Sequence, residues 1–248
     1  MNLSQFFKEC PRVALAFSGG VDSSYLLYAA LQNGAQVRAY YVKSPFQPQF
    51  ELEDARRLVD QLHADMTLIE LDVLTNEAVT ANPWNRCYYC KHGIFGNILR
   101  AAQADGFPVL MDGTNASDDA GDRPGIRALR ELEVRSPLRE CGLTKDEIRR
   151  LSREAGLFTW NKPAYACLAT RIPTGEVITG EKLAAVEAAE SYLFSLGFTD
   201  FRVRTREGRA KLQLPAQQLG RVLELRTEIL QELNRYFTEV TLDLEARP

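Results

Sequence analysis

The residues best suited to chemistry lie in one short stretch near the N-terminus. An apolar run of strand length, 13–17, precedes this stretch, and a helix-forming run, 25–31, follows it. Paired glycines let the backbone turn sharply and approach a ligand closely. Free amide groups and the helix dipole at the start of the following helix both attract phosphate. We therefore predict a phosphate-binding loop formed by Ser18, Gly19, Gly20, Val21, Asp22, Ser23 and Ser24.

This loop differs from two common phosphate-binding patterns. The Walker pattern places four residues between its glycines and then a Lys before Ser or Thr, and no such Lys follows Gly20. The Gly-x-Gly-x-x-Gly pattern does not match either. The alternative is a purely structural turn, but chance rarely places Ser-Gly-Gly-x-Asp-Ser between a clear strand and a clear helix.

Three of the five cysteines suggest a second centre of chemistry. Cys87 and Cys90 form a Cys-x-x-Cys pair in a polar, proline-containing loop, 82–91, and Cys167 follows another region expected at the same sheet edge. Together they could hold zinc with a fourth ligand, hold a [4Fe–4S] cluster with one iron open, or carry sulfur as thiols and persulfides. The alternative for Cys167 is a small buried side chain. We expect the remaining two cysteines to be structural.

Positively charged residues recur in a predicted hairpin near the C-terminus. The run 201–206 alternates strictly and predicts a strand, and 209–214 predicts its partner after a tight turn. Side chains alternate between the faces of a strand, so one face carries Arg202, Arg204, Arg206, Arg209 and Lys211. That face is either a solvated outer surface or a site for an anionic substrate, because arginine fits phosphate and carboxylate.

The elements that must position these residues alternate between strands and helices. Strands are predicted at 13–17, 37–42, 66–71 and 109–111, and the intervening helices include 49–62 and 92–104. This order predicts an α/β fold with a doubly wound, mostly parallel sheet. Ligands bind at the carboxyl ends of such strands, which adds Ser44, Gly113 and Thr114 to the predicted nucleotide site.

The character of the chain changes near Thr174-Gly175. We predict a nucleotide-binding domain over 1–173 and a small α+β domain over 174–248 for substrate binding or oligomerisation. The second domain is expected to contain a helix at 179–196, the basic hairpin, a helix at 215–235 and a last strand.

Composition limits the possible partners. The formal net charge of the 248 residues is -3, which gives no general basic surface for nucleic acid. No apolar run is long enough to span a membrane, and the first ten residues lack the pattern of a signal peptide. We therefore expect a cytoplasmic protein whose cysteines are thiols or metal ligands rather than disulfides.

Taken together, the motifs resemble those of the LarE family of sulfur transferases, within the PP-loop ATP pyrophosphatase superfamily. The resemblance covers nearly the whole chain. The loop alone is typical only of the superfamily, and more specific motifs carry the resemblance to the family. They are Asn82-Pro83, Arg86-Cys87-Tyr88-Tyr89-Cys90-Lys91, Asp112-Gly113-Thr114-Asn115, Arg123-Pro124-Gly125, Arg135-Ser136-Pro137-Leu138 and Ala166-Cys167-Leu168-Ala169-Thr170-Arg171-Ile172-Pro173.

This resemblance implies an activity. LarE-type enzymes use Mg²⁺ and ATP to adenylate the carboxylates of pyridinium-3,5-dicarboxylate mononucleotide, and they convert them to thiocarboxylates for the nickel-pincer cofactor of lactate racemase. The implied ATP site comprises Ser18 to Ser24, Ser44, Gly113 and Thr114, with Asp22 as a catalytic residue. The implied substrate-binding residues are Arg171, Glu190, Arg202 and Arg204. The resemblance also implies a homo-oligomer, such as a hexamer.

The source of sulfur has alternatives. Cys167 matches the family position that gives up its own sulfur and becomes dehydroalanine. This chain departs from that scheme by also having Cys87 and Cys90. Members with three such cysteines resemble enzymes whose [4Fe–4S] cluster carries an extra sulfide. We therefore favour these three residues as catalytic cluster ligands over the sacrificial route, with persulfide transfer as a further alternative.

Other functions also fit parts of the pattern. A PP-loop tRNA thiolase shares the ATP chemistry, but it should bring a basic RNA-binding surface, which the overall acidity disfavours. An amidating synthetase would not need three cysteines, and a non-enzymatic nucleotide- or metal-binding module would not activate a carboxylate. Asp118, Asp119 and Asp122 are left open between magnesium binding and loop solvation.

Overall fold

The computed structural model describes residues 1–118 and 124–247. Its strands are β1 (Arg12–Ala16), β2 (Gln36–Lys43), β3 (Asp65–Glu70), β4 (Val109–Met111), β5 (Arg202–Arg206), β6 (Arg209–Gln213) and β7 (Glu239–Leu242). Its α-helices are α1 (Leu3–Glu9), α2 (Val21–Gln32), α3 (Gln49–Leu62), α4 (Glu77–Thr80), α5 (Arg86–Ala104), α6 (Pro124–Glu131), α7 (Pro137–Glu140), α8 (Lys145–Glu154), α9 (Gly180–Ser195), α10 (Leu219–Glu224) and α11 (Arg226–Leu233). Short 3-10 helices occupy Val73–Thr75, Phe158–Asn161, Leu168–Arg171 and Ala216–Gln218. None of the described helices has the length and hydropathy that crossing a membrane requires.

The chain packs into two compact units, each built from two segments. The first unit contains Met1–Asp72 and Asn85–Ala164, and the second contains Val73–Trp84 and Tyr165–Pro248. The early segment joins the second unit through the Asn82 side chain, whose Nδ2 donates to Pro173 O at 2.7 Å. The predicted domain boundary after residue 173 stays a prediction, because this packing does not test where a separately folding domain begins.

The first unit contains a four-stranded parallel sheet in the order β3-β2-β1-β4. Val13 of β1 pairs with Val37 of β2 and with Val109 of β4, so the strands run in register and in one direction. The loops that follow β1, β2 and β4 therefore leave from the same edge of the sheet, where parallel α/β folds bind ligands. This architecture confirms the predicted α/β class.

Helices cover both faces of this sheet. Val13 and Leu15 point into a core that α1, α2, α3 and α8 complete. Ala14 lies between them in sequence and packs with Tyr40 against the opposite face, together with Ile98 of α5. Successive strand residues alternate between the faces, and both faces are apolar here, which explains the nearly continuous apolar run of β1.

The second unit contains a small mixed sheet. β5 pairs antiparallel with β6, and β6 pairs parallel with β7. Glu207 and Gly208 have φ of 50° and 77°, which makes the tight turn that the hairpin pattern predicted. The predicted helix over 215–235 is instead divided into a 3-10 turn, α10 and α11. Leu225 caps the last two, with φ -93° and ψ 11°, and so interrupts the helix.

The Cys-x-x-Cys pair lies in a helix rather than in the predicted loop. α5 begins at Arg86, six residues before the predicted start at His92, and includes both Cys87 and Cys90. The stretch from residue 86 to 92 contains neither Gly nor Pro, so nothing in it opposes helix formation. The two thiols therefore stand at neighbouring positions on the helix surface, three residues apart.

Candidate functional site

The predicted phosphate-binding loop joins β1 to α2 in the first unit. Gly19 has a φ of 69°, a conformation that a residue with a Cβ rarely adopts. A Cβ at Gly19 would also lie 3.2 Å from the Cα of Ala55 in α3, so the turn packs closely. Gly20 occupies the N-cap of α2, and no side chain among the described residues caps that helix. The first amide groups of α2 thus have no capping oxygen and can bind an anion.

Hydroxyl groups hold the loop in this conformation. Ser18 Oγ lies 3.1 Å from Ser23 Oγ and accepts a hydrogen bond from Gly20 N at 3.3 Å. Ser23 Oγ also donates to Gly20 O at 3.2 Å. Ser24 differs, because its side chain is fully buried and its hydroxyl has no hydrogen-bond partner in the described part of the chain. Ser24 therefore belongs to the core side of α2.

A second glycine keeps space open in front of α2. A Cβ at Gly113, in the loop after β4, would lie 2.9 Å from the Ser23 amide nitrogen. That is the distance at which a phosphate oxygen accepts a hydrogen bond from an amide. The absent side chain thus leaves room for a ligand atom at the helix start, as the prediction for Gly113 requires. The neighbouring Thr114 hydroxyl donates to the carboxylate of Asp112.

The Asp22 carboxylate lies at the first turn of α2. Its Oδ2 is 2.6 Å from Lys145 Nζ, and its Oδ1 accepts from Asn115 Nδ2 at 3.3 Å. Nearby, Ser136 Oγ donates to the buried Asp112 carboxylate at 2.7 Å. Mg²⁺ in nucleotide sites needs only one or two carboxylates beside the phosphates, so Asp22 fits as a ligand.

Lys162 approaches the same loop from another side. Its Nζ lies 2.7 Å from Asp54 Oδ2 and donates to Gly19 O at 3.5 Å. Arg149 fixes the backbone here by donating to Trp160 O at 3.0 Å and to Lys162 O at 3.2 Å.

Ser44, predicted at the adenine end of the site, closes a local turn after β2. Its hydroxyl donates to Gln47 Oε1 at 2.6 Å and accepts from Phe46 N at 3.2 Å. Ser44 is buried, so these bonds satisfy its hydroxyl within the turn. Its role toward a nucleotide stays a prediction.

Arg171 and Glu190 form a buried ion pair in the second unit, each only 1% exposed. Arg171 Nε and Nη2 donate to the two Glu190 oxygens at 2.8 and 3.0 Å. Tyr165 Oη and Val203 N donate to the same carboxylate. Burial opposes the charge of Arg171, but hydrogen bonding and attraction from Glu190 outweigh it and raise the pKa of the guanidinium. This network fixes the turn around Cys167, because Arg171 Nη1 also donates to Ala166 O at 2.8 Å.

The charged face of the hairpin divides into buried and exposed parts. Arg202 is buried over the Tyr165 ring, and burial together with repulsion from Arg171 lowers the pKa of its guanidinium. Arg204 is exposed, and its Nη1 donates to Thr170 O at 2.9 Å. A groove of about 680 Å³ lies over this face. The basic residues that line it are Arg171, Arg204, Arg206, Arg209 and Lys211.

The three cysteines that the sequence singled out belong to different units. The exposed Cys87 and the half-buried Cys90 are in the first unit, and the half-buried Cys167 is in the second. The Cys167 carbonyl accepts from Thr170 Oγ1 at 2.8 Å. Within 1–118 and 124–247, no three His, Cys, Asp or Glu side chains form a group that could hold a metal ion.

The acidic loop after Asn115 is described only in part. Asp118 Oδ2 accepts from Asn115 N at 2.8 Å, which closes a local turn. Asp119, Asp122 and Arg123 lie outside the described residues.

Comparisons with known proteins agree with this geometry. A family model described as Queuosine biosynthesis protein QueC matches residues 12–83, which include the loop. The uncharacterized protein slr1717 of Synechocystis sp. is 39% identical over 98% of this chain and 92% of its own length. Pyridinium-3,5-bisthiocarboxylic acid mononucleotide synthase of Lactiplantibacillus plantarum is 34% identical over 96% of this chain and 87% of its own length. The chain belongs to the LarE family.

As a distant LarE relative, the chain is a PP-loop ATP-binding enzyme. A more partial similarity links it to tRNA-specific 2-thiouridylase MnmA 2 of Clostridium botulinum, which is 26% identical over 60% of this chain and 52% of that protein.

Sequence reasoning missed two lysines that contact the predicted loop. Lys145 and Lys162 contact the loop from positions 123 and 143 residues away along the chain. One signal could have indicated such residues. The loop itself contains no Lys or Arg, so a cation for a bound phosphate must come from elsewhere in the chain.

Proposed function

We propose that this chain is an ATP-dependent, AMP-forming sulfur transferase that converts the carboxylates of pyridinium-3,5-dicarboxylate mononucleotide to thiocarboxylates. One observation carries the proposal. The similarity to the bisthiocarboxylic acid mononucleotide synthase extends over 96% of the chain and so includes both units, whereas similarity to the thiouridylase extends over 60%. The product would serve the nickel-pincer cofactor of lactate racemase.

The first step activates a carboxylate. A substrate carboxylate oxygen attacks the α-phosphorus of ATP, the bond from that phosphorus to the α,β-bridging oxygen breaks, and pyrophosphate leaves. The resulting acyl-adenylate is a good electrophile, whereas a bare carboxylate is not. The loop residues Ser18 to Ser24 and the open position beside Gly113 would receive the pyrophosphate, because oriented amides stabilise developing charge at no reorganisation cost. Asp22 would bind the Mg²⁺ that accompanies ATP.

The arginine groove of the second unit suits the rest of the substrate. Arg204 lies directly opposite Lys211 across the hairpin, and Arg206 lies opposite Arg209. Lys211 and Arg209 each have an acidic partner, Asp243 at 2.9 Å and Glu239 at 3.3 Å. Within the described residues Arg204 forms no ion pair and instead donates to Thr170 O. A mononucleotide phosphate or a pyridinium carboxylate would supply an anion for its guanidinium, which supports Arg204 as a substrate-binding residue. The other predicted substrate-binding residues would support Arg204 from the buried side of the groove. They are Arg171, Arg202 and Glu190.

The sulfur source is proposed from the cysteines alone. In the sacrificial route, the Cys167 sulfur attacks the acyl-adenylate and AMP leaves, forming a thioester. Loss of the Cα proton then breaks the Cβ–S bond, which leaves dehydroalanine and a thiocarboxylate. In the alternative that we favour, Cys87, Cys90 and Cys167 hold a [4Fe–4S] cluster. Among the described residues, no three His, Cys, Asp or Glu side chains form a group that could hold a metal ion, so we derive no reaction step through a cluster.

Exchange of radiolabelled pyrophosphate into ATP tests the activation step. We expect exchange only when pyridinium-3,5-dicarboxylate mononucleotide is present, and none with unmodified tRNA. Exchange driven by tRNA, with a steep dependence on salt, would instead identify a thiolase. Exchange with neither compound, in a protein that binds ATP, would refute the proposed substrate.

Anaerobic purification with iron and sulfide analysis tests the sulfur source. Bound iron and sulfide that disappear in a Cys87→Ser variant would support the cluster. An iron-free protein whose Cys167 peptide loses one sulfur during turnover would establish the sacrificial route.

We also propose that the protein is cytoplasmic and forms a homo-oligomer, such as a hexamer. Light scattering after size-exclusion chromatography tests the assembly, and a mass equal to one chain of 27.9 kDa would refute it.

A further inference from the structure

The phosphate-binding loop contains no cationic side chain, since residues 18–24 are Ser, Gly, Gly, Val, Asp, Ser and Ser. A helix N-terminus supplies only about half an elementary charge. A pyrophosphate leaving group carries several negative charges, which enzymes that cleave ATP neutralise with lysine, arginine and metal ions. A loop that receives pyrophosphate therefore needs cations from elsewhere in the fold.

Lys162 meets this need on one side of the loop. Its side chain is 14% exposed, and its Nζ contacts Asp54 Oδ2 at 2.7 Å, Glu51 Oε1 at 3.9 Å and Gly19 O at 3.5 Å. Gly19 is itself packed against α3, which carries both carboxylates. The ammonium group is thus held at the glycine turn by several contacts, and Arg149 fixes its backbone.

Lys145 supplies a second cation to the loop, on the side of α2. Its Nζ lies 2.6 Å from Asp22 Oδ2, and its backbone N donates to Ser117 Oγ at 2.9 Å. The side chain is 32% exposed, so the ammonium group has room to move from Asp22 to a ligand. If Asp22 binds Mg²⁺ when ATP enters, Lys145 loses its partner at the point where a phosphate arrives.

We propose that Lys145 and Lys162 are the cations that bind pyrophosphate, in place of the lysine that a Walker loop carries within its own sequence. This inference rests on the proposed function in one respect, that ATP is cleaved at this loop to give pyrophosphate. A lysine ammonium can donate to more than one acceptor, so Lys162 can bind phosphate oxygens while Asp54 still holds it. The two lysines act on pyrophosphate and not on the AMP portion of ATP.

Titration calorimetry tests whether the two lysines bind pyrophosphate and not AMP. The full-length protein is titrated with inorganic pyrophosphate and Mg²⁺, and separately with AMP. Hydrogen bonds to charged groups contribute about 1.5–3 kcal/mol, so Lys145→Met should weaken pyrophosphate binding by about tenfold to a hundredfold. AMP binding should change by less than about twofold, since no such bond is lost there. Lys182→Met is the matched control, because Lys182 Nζ forms a comparable ion pair with Glu176 at 2.7 Å.

Lys162 requires a second design, since its removal leaves the half-buried carboxylates of Asp54 and Glu51 without this cation and could unfold the protein. The double variant Lys162→Met with Asp54→Asn removes both charges of the closest pair. It should melt close to the wild type, and its pyrophosphate affinity should fall as in Lys145→Met. Lys162→Arg should retain part of that affinity.

The outcomes separate this inference from the proposed function. Unchanged pyrophosphate binding in both lysine variants, or an equal loss of AMP binding, would overturn the lysine assignment even if the wild type catalyses substrate-dependent exchange. Conversely, selective loss of pyrophosphate binding would uphold it even if the pyridinium mononucleotide supports no exchange.

Discussion

The two anion-binding regions of this molecule are built from different parts of the chain. In the first unit, the loop after β1 presents backbone amides, and its geometry depends on Gly19 and Gly113. In the second unit, the groove over β5 and β6 presents side chains, and its geometry depends on a buried pair beneath it, Arg171 and Glu190. The first region depends on the absence of a side chain at Gly19 and Gly113, whereas the second depends on the buried side chains of Arg171 and Glu190.

This difference determines how each region tolerates change. Backbone donors survive every substitution except one by proline, so the loop is vulnerable mainly to added volume. Side-chain donors can be removed one at a time, so the groove should lose affinity gradually. Its framework, the buried pair of Arg171 and Glu190, should instead lose much of its stability when either residue is changed.

The largest effect is expected from breaking the framework of the groove. Glu190→Gln leaves the Arg171 charge buried without its counterion, which should lower the free energy of unfolding by about 3 kcal/mol. Urea titration of wild type and variant measures this difference. The double variant Arg171→Met with Glu190→Leu should recover most of the stability, because removing both charges avoids the unpaired one. A single variant as stable as the wild type would contradict the proposed framework.

Much of the first region could be predicted because its information is local. The loop residues from Ser18 to Ser23 are contiguous, and the strand and helix on either side define the turn, so one motif was sufficient. Lys145 and Lys162 could not be predicted, because only the folded sheet brings such distant residues to the loop. The helix around Cys87 was misread for a local reason, since Asn82 and Pro83 indicate a loop.

For the second region, the sequence predicted which residues share a face of the hairpin but not which of them are buried. Alternation correctly assigned Arg202, Arg204 and Arg206 to one face, because register follows from the period of a strand. Alternation does not indicate what covers a face. Arg202 is buried over Tyr165, whereas Arg204 and Arg206 on the same face are exposed. The pairing of Arg171 with Glu190 depends on α9 packing beside the 3-10 helix Leu168–Arg171, which no short-range pattern encodes.

The second-largest effect should come from adding volume to the loop. Gly113→Ala places a Cβ about where a phosphate oxygen would meet the Ser23 amide, 2.9 Å away. Loss of that bond should weaken pyrophosphate binding by about tenfold to a hundredfold, measured by calorimetry. Gly220→Ala is the control, because a Cβ there has open space around it. If both variants bind pyrophosphate like the wild type, the position beside Gly113 is not part of the site.

A smaller effect is expected from removing one side chain of the groove. Arg204→Gln should raise KM for the mononucleotide about tenfold with little change in kcat, because one charge-assisted bond is lost. The free energy of unfolding should change by less than about 0.5 kcal/mol, because Arg204 is an exposed residue. Arg226→Gln, at an exposed position of α11, is the control. An Arg204 variant with reduced stability and unchanged KM would show that this residue is structural.

The smallest effect distinguishes the two regions without any substitution. Salt screens exposed charges strongly and packed groups weakly, and the Debye length falls from about 10 Å at 0.1 M to about 3 Å at 1 M salt. The exposed side chains of Arg206 and Arg209 should therefore make mononucleotide binding weaken severalfold over this range. Pyrophosphate binding at the loop should weaken less, because the side chains of Lys162 and Lys145 are only 14% and 32% exposed, against 78% and 62% for Arg206 and Arg209. Parallel titrations of both ligands with rising potassium chloride measure the two slopes. Equal slopes would mean that the cations at the loop are as open to screening as those of the groove.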